Sequence, residues 1–299
     1  MSRRSPLFYV GDKYKLIDEL KLFFPHRIRN FIEPFVGGGS AFMNVDAERY
    51  ILNDIDSNVI QLHELLCDNS NDRNAFIQKL IALSNQYGLS CSYLHDNIPD
   101  DLKQCYPKTY FAEFNREGYN RLRDNYNNTT ERDPLWLYLL LVYGFNRMLR
   151  FNNHGNYNVP VGNVDFNSNV IDALNNYFDI VSNRNIQWSN ADFRQFIADN
   201  NELTQEDLIY LDPPYLITFS EYNKRWNETT ENELLEALNH LDAISIRFAI
   251  SNVTHYKGRV NTIFLEWAQN YNIHQVHSNY ISYHDNTVKQ FNEVIVTNY

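Results

Sequence analysis

Three short runs of β-forming residues each end in a loop of small or acidic residues, and this recurrence restricts the fold more than any other feature of the chain. Phe31-Ile32-Glu33 leads into Pro34-Phe35-Val36-Gly37-Gly38-Gly39-Ser40, Tyr50-Ile51-Leu52 into Asn53-Asp54, and Leu208-Ile209-Tyr210-Leu211 into Asp212-Pro213-Pro214-Tyr215. An open α/β sheet presents a site in this way, with its binding loops at the carboxyl ends of the strands. Further strands are expected at 186–188, 247–250, 274–276 and 293–297. A helix is expected over 230–241, where Leu234, Leu235, Leu238 and Leu241 recur at three and four.

The strand rhythm stops between Asp56 and about Asp165. Helical patterns at 59–66 and 73–83 are followed by a polar stretch and an apolar helix from Pro134. The segment closes on Phe151-Asn152-Asn153-His154-Gly155-Asn156-Tyr157-Asn158-Val159-Pro160, where Gly155 and the asparagines supply a turn and alternation resumes on both sides. This predicts a β-hairpin over 143–164. The chain then divides into a sheet unit, 1–57 with 165–299, and a mostly helical insertion, 58–164. It carries no internal repeat and no low-complexity segment.

Composition narrows the class. With 43% hydrophobic and 21% charged residues in 299, the chain is globular. The longest apolar run, 135–143, is roughly half of the ~20 residues a membrane helix needs. The basic start Met1-Ser2-Arg3-Arg4 lacks the apolar run of a signal peptide, so a cytoplasmic, membrane-free protein is expected. Cys67, Cys91 and Cys105 have neither disulfide nor zinc spacing. A net charge of -11 argues against nucleic-acid binding over the whole surface but leaves room for a local basic face. Two stretches qualify: residues 1–30, with seven basic against three acidic side chains, and 143–164, with Arg147, Arg150 and His154 and no acid.

Three motifs carry chemistry. In Glu33 to Ser40, consecutive glycines let backbone approach a ligand closely, and a helix starting near Ser40 would offer free N–H groups. Phe42 stands where a dinucleotide fingerprint wants a glycine, so a pyrophosphate fits poorly, and a tight turn without a ligand stays open. Asp54, at the next strand end, suits the two hydroxyls of a ribose or, alternatively, a helix cap. In Asp212-Pro213-Pro214-Tyr215 the prolines remove two donors, leaving an acceptor-only rim beside an aromatic face. Such a rim suits a planar amine such as the amino group of a base; the alternative is a simple proline turn.

These residues resemble the Dam-type, alpha-group family of DNA adenine-N6 methyltransferases, over nearly the whole chain. Tyr9-Val10-Gly11-Asp12-Lys13-Tyr14-Lys15-Leu16 is similar to the N-terminal element that contacts the methionine part of S-adenosylmethionine (AdoMet), with Tyr9 where the family usually has Trp and Lys13 on the matching lysine. Phe35-Val36-Gly37-Gly38-Gly39 resembles the cofactor loop, flanked by Glu33, Pro34 and Ser40; Asp54 matches the ribose acid. In Asn190-Ala191-Asp192-Phe193, Asp192 would contact the cofactor adenine, with Phe193 beside it. Asp212, Pro213, Pro214 and Tyr215 match the catalytic tetrapeptide. The stretch 143–162 is similar to the DNA-recognition hairpin, and 292–299 to the last strand.

The resemblance implies a Rossmann-like α/β sheet with helices on both faces, plus an inserted target-recognition domain. It implies transfer of the AdoMet methyl group to a flipped-out adenine in double-stranded DNA, as the modification enzyme of a restriction-modification system. Asp212 and the Pro213 carbonyl would hold N6 in line, with Tyr215 beneath the ring and no separate general base. Arg150 is the candidate for bidentate contact to a guanine, with Arg147, Asn146 and Pro160 nearby; a phosphate clamp is the other role open to it. Relatives reading GATC usually have a lysine before the N-terminal aromatic and an arginine after the hairpin, where this chain has Phe8 and Asn163. The segments Leu216-Ile217-Thr218 with Tyr222-Asn223, and 248–253 with Lys257-Gly258, look more like methyltransferases of asymmetric, GGATG-like sites.

His274, His277, His284 and Asp285 do not have metal-ligand spacing, and no metal is expected; the loop at 278–289 is a candidate for DNA contact near the flipped base. A cognate restriction endonuclease and a companion methyltransferase are the further partners considered, and the chain itself is expected to be a monomer. The alternative function is an RNA or protein-amide N-methyltransferase using the same Asp-Pro-Pro-Tyr loop.

Overall fold

The computed structural model describes residues 2–95, 98–218, 226–277 and 291–299. Its elements run β1 (Asn30–Glu33) and β2 (Arg49–Asn53) after a short N-terminal α1 (Ile17–Leu20), then the helices α2 (Ser57–Asp68), α3 (Arg73–Gln86), α4 (Asp100–Cys105), α5 (Tyr110–Asn128), α6 (Pro134–Tyr143) and α7 (Ser168–Val181). They continue β3 (Ile186–Ser189), α8 (Phe193–Asp199), β4 (Leu208–Leu211), α9 (Glu228–Ala243), β5 (Arg247–Tyr256), β6 (Arg259–Val260), α10 (Thr262–Ala268), β7 (Asn272–Val276) and β8 (Phe291–Thr297).

The strands form one sheet in the order β3-β2-β1-β4-β5-β8-β7, with β6 on β5. Pairings among β1 to β5 are parallel, and β8 runs antiparallel to both β5 and β7. The chain builds outward from β1 to β3, returns to β4 and builds the other way. The switch point therefore lies between β1 and β4, where an open sheet leaves a crevice at its carboxyl ends.

Alternation divides the core. Phe31, Tyr50, Leu52, Leu208 and Tyr210 join one apolar cluster, and Ile32, Ile51, Ile209, Leu211, Phe248 and Ile250 the other. Helices α8, α9 and α10 cover the second face, which accounts for the continuous apolar run of β4. The first cluster extends without a break into α2, α3, α5, α6 and α7. Because α6 is surrounded there, its residues from Leu137 to Tyr143 are all buried. Helix starts are set by local caps: Asp56 accepts from the Asn58 N–H at α2, Asn167 from Val170 at α7 and Asn227 from Thr230 at α9.

The expected strands and the helices at 59–66, 73–83, from Pro134 and at 230–241 all form, and three details differ. No helix begins near Ser40; residues 40–44 make a series of turns. The stretch 143–164 contains no regular strands: its arms form two isolated antiparallel bridges, Gly144 to Val161 and Phe151 to Tyr157. The polar stretch before Pro134 holds α4 and α5, and α5 buries only Asn115, Gly118, Tyr119, Leu122 and Tyr126, a stripe too polar to register as apolar periodicity.

Candidate active site

The glycine loop leaves β1 and folds back under the N-terminal segment. Gly37 and Gly39 have φ of +46° and +80°, a left-handed conformation that glycine adopts without strain. At Gly38 the constraint is space: a Cβ would stand 2.5 Å from the Tyr9 Cβ. Tyr9 thus packs directly on the loop, which brings two segments named from the sequence into one surface.

Asp54 fixes the loop from β2. Its carboxylate accepts from the Gly37 N–H at 2.9 Å and from the Asp56 N–H at 2.9 Å, and burial pushes its pKa up to about 6. Asp56, not Asp54, caps α2, so the helix-cap role falls to its neighbour. Asn53 ties three strand ends together: its side chain donates to the carbonyls of Pro34 and Ala191 and accepts from the Ala191 N–H. Ser40 is buried beside the loop, and its hydroxyl has no hydrogen-bond partner among the described residues.

His63 was not marked by the sequence reading. It is buried on α2, with Nε2 2.8 Å from the Gly37 carbonyl and Nδ1 2.9 Å from the Tyr177 hydroxyl. A carbonyl only accepts, so Nε2 donates and Nδ1 accepts. Burial lowers its pKa to about 4, and the neutral ring stacks on Trp188 at 4.7 Å. The available signal was a single polar residue within the apolar face Val59, Ile60, Leu62, Leu66.

At the end of β3, Asp192 caps α8 and pairs with Arg194, which also bonds Glu233. Its side chain is 41% exposed. Phe193 turns inward to Phe35 and Trp226, with ring centroids 5.4 and 5.8 Å away.

The tetrapeptide follows β4 at the switch point. Lys13 Nζ lies 2.8 Å from Asp212 Oδ2, and the Tyr215 hydroxyl donates to Asp212 Oδ1 at 2.8 Å. The same ammonium sits 5.0 Å from the centre of the Tyr215 ring. A second carboxylate, Glu293 of β8, reaches this group: its Oε1 is 3.1 Å from the Tyr215 hydroxyl and 3.6 Å from Lys13 Nζ. Burial, reinforced by the charges of Asp212 and Glu293, holds the Tyr215 phenol well above its ordinary range. Glu33, at the end of β1, accepts from the Phe42 N–H at 3.0 Å; burial and the nearby Asp212 raise its carboxyl well above the usual range. Glu293 was read from the sequence only as part of the last strand, because its role depends on β8 being inserted beside β5.

The residues named for DNA contact lie together on 144–162. Arg147 packs its guanidinium 3.6 Å from the centre of the Phe8 ring, and burial lowers its pKa to about 10. Phe8, Asn146 and Arg147 all have positive φ, at 47°, 52° and 51°. Arg150 donates from Nε to the Asn158 side chain at 2.8 Å and from Nη2 to the Asn158 carbonyl at 3.1 Å. The Pro160 carbonyl accepts from the Phe145 N–H. Asn163 holds the start of α5, accepting from the N–H groups of Phe111 and Ala112. Among the remaining histidines, His274 stacks on Phe23 and His277 pairs with Glu19, whereas Tyr222, Asn223, His284, Asp285 and the loop 278–289 lie outside the described residues. No described helix is long and apolar enough to cross a membrane.

A mostly parallel sheet with an antiparallel β8, a glycine loop after β1, an acid after β2 and an acceptor-rich proline loop after β4 define an α/β domain of methyltransferase type. The chain belongs to the D12 class N6 adenine-specific DNA methyltransferases, whose family model matches residues 9–281. It is 35% identical to the type II methyltransferase M.FokI of Planomicrobium okeanokoites over 99% of its length, and 34% identical to the modification methylase StsI of Streptococcus sanguinis, also over 99%. The chain spans 43% of each of those proteins, less than half. It is 33% identical to a DNA adenine methylase of Salmonella typhi over 53% of this chain and 48% of that protein.

Proposed function

We propose that the chain is a site-specific DNA methyltransferase that moves a methyl group from AdoMet to N6 of an adenine flipped out of duplex DNA, as the modification enzyme of a restriction-modification system. The observation that carries this reading is the Asp212-Pro213-Pro214-Tyr215 loop at the switch point, facing Lys13 and adjoining the glycine loop. In the stack the amino group is shielded, so the base must leave the duplex to reach these acceptors. Asp212 and the Pro213 carbonyl accept its two N–H bonds, Pro214 keeps the rim rigid, and the Tyr215 ring supports the base.

The residues present fit AdoMet. Asp54 offers a carboxylate beside the Gly37 N–H for a ribose, and Ser40 contributes a buried hydroxyl in need of a partner. Tyr9 and Lys13 suit the methionine part, and Phe35, Phe193 and Asp192 the adenine. When bound, AdoMet supplies a methyl group on a positively charged sulfur. Residues 58–164 serve as the target-recognition domain and 1–57 with 165–299 as the catalytic domain, with Arg147, Arg150, Asn146 and Pro160 on the DNA side.

Asn163 spends its side chain on α5, where GATC-reading relatives have an arginine, which favours an asymmetric, GGATG-like target. Such a site has different strands and needs two catalytic sets; this chain supplies one Asp-Pro-Pro-Tyr set, a companion methyltransferase or a second domain supplies the other, and a cognate endonuclease reads the same site. We take the enzyme to act as a cytoplasmic monomer.

The test is long-read sequencing of DNA from methylation-free cells expressing the chain or its Asp212→Ala variant. One methylated adenine motif that disappears in the variant is expected. Soluble protein that binds AdoMet and marks no DNA motif would transfer the assignment to an RNA or protein-amide substrate.

A further inference from the structure

The group around Tyr215 holds one proton fewer than it has places for. A phenol has a single proton, yet the Tyr215 oxygen lies 2.8 Å from Asp212 Oδ1 and 3.1 Å from Glu293 Oε1. Among the described residues the two carboxylates share the Lys13 ammonium, and Glu293 and Lys13 are both buried, at 2% and 5% exposed. A carboxylate that shares a phenol with another carboxylate is placed to receive a proton handed through the hydroxyl. Methylation of a neutral amine releases one, because the nitrogen becomes positive when its lone pair forms the N–C bond.

Resting on the functional reading above, we propose that Glu293 is the terminal acceptor of the proton shed by the methylated amine, reached through Asp212 and the Tyr215 hydroxyl. The N–H bonding pair returns to nitrogen as the proton passes to Asp212 Oδ1. Tyr215 then takes that proton from Asp212 while giving its own to Glu293 Oε1. At the end the amine is neutral, Asp212 is ionised, the phenol is intact and the Glu293 carboxyl is neutral; the proton reaches solvent when product leaves. Lys13 stays on Asp212 Oδ2, and the same ammonium lies 3.6 Å from Glu293 Oε1. Among the described residues, the ionisable groups that face Glu293 are Lys13 from the N-terminal segment and Asp212 and Tyr215 from the loop after β4, and Tyr210 of β4 feels its charge. Glu293 works through Tyr215 and touches no substrate.

The test uses Glu293→Gln, Tyr215→Phe and the double variant. The glutamine carbonyl still accepts from Tyr215 but cannot serve as a base at neutral pH, and Phe keeps the ring. Expected are unchanged affinities for AdoMet and DNA and single-turnover transfer slower by about tenfold to a hundredfold in Glu293→Gln. The double variant should be no slower than the slower single, as for groups acting as a unit. With a pH indicator in weak buffer, protons should appear after methyl transfer in the wild type and together with it in Glu293→Gln. Acid titration of the free enzyme, followed by infrared absorption, should show a protonated-carboxyl band that Glu293→Gln removes.

Wild-type rates in Glu293→Gln, losses that multiply in the double variant, or an infrared band unchanged by the substitution would each overturn the relay alone. A wild type that transfers no methyl group to adenine in DNA overturns the functional reading, and the relay with it.

Discussion

Asp207 and Asp212 bracket the same short strand, β4, and are treated in opposite ways. Asp207, at the amino end, is fully buried and fully served: Arg29 donates to both its oxygens at 2.9 and 2.7 Å, and the backbone N–H groups of Asn30 and Thr204 add bonds at 3.0 and 2.7 Å. Burial pushes its carboxyl upward, but these donors outweigh it and hold it below the usual range. Asp212, at the carboxyl end, shares one lysine and one phenol with Glu293, and Glu33 lies close by. One end of the strand is built for stability, and the other gathers acids around shared donors, the arrangement on which the proposed transfer to an amine rests.

Exchanging the two losses gives the strongest test of that contrast. Asp212→Ala should reduce methyl transfer by at least about a hundredfold, the scale on which a preorganised polar group acts, with no loss of stability. Asp207→Ala should cost about 3 kcal/mol, because it strands the backbone donors and Arg29, while the folded fraction keeps its specific activity. Urea denaturation and single-turnover assays on both variants decide it; a destabilised Asp212→Ala with a stable, inactive Asp207→Ala would reverse the assignment.

How much of this could be read from the chain follows from what each residue depends on. Strands β1, β2 and β4 and their loops were legible because local pattern and turn chemistry agree there. Glu293 and His63 were not, because each joins the site only through a partner far away in sequence, Tyr215 for one and Gly37 for the other. The stretch 143–164 was legible as a turn with arginines. Its lack of regular strands was not, since Tyr157 and Tyr119 replace part of the ladder by bonding the Met148 and Val159 carbonyls.

A smaller effect probes the carboxyl end where the glycine loop and the N-terminal segment meet. In Gly38→Ala the new Cβ would press on the Tyr9 Cβ, which no side-chain rotation can move. The loop or the segment must shift, costing about 1–3 kcal/mol. Because the displaced surface is the one proposed for AdoMet, its KM should rise while kcat changes little. A raised melting temperature or an unchanged KM would show that Tyr9 does not define that surface.

The finest distinction between the two ends is the sign of their pH dependence. For Asp207 the folded pKa lies below the unfolded one, so the unfolded chain binds more protons and stability is lost as pH falls through the acid range. For Asp54, with a folded pKa of about 6 against about 3.9 in an unfolded chain, the folded state binds more protons between those values. Its contribution therefore declines as pH rises from about 4 to about 6 and stays unfavourable above. Asp54→Asn should leave stability at pH 4 unchanged and raise it at pH 7 by about 1 kcal/mol, a modest figure because the side chain is only half-buried and the amide accepts fewer backbone bonds. Asp207→Asn should show its loss at pH 7 and converge on the wild type as the wild-type Asp207 carboxylate takes up its proton in acid. Urea titrations at intervals from about pH 2 to about pH 8 read both curves; Asp54→Asn running parallel to the wild type above about pH 4 would mean that burial at the carboxyl end places no strain on Asp54.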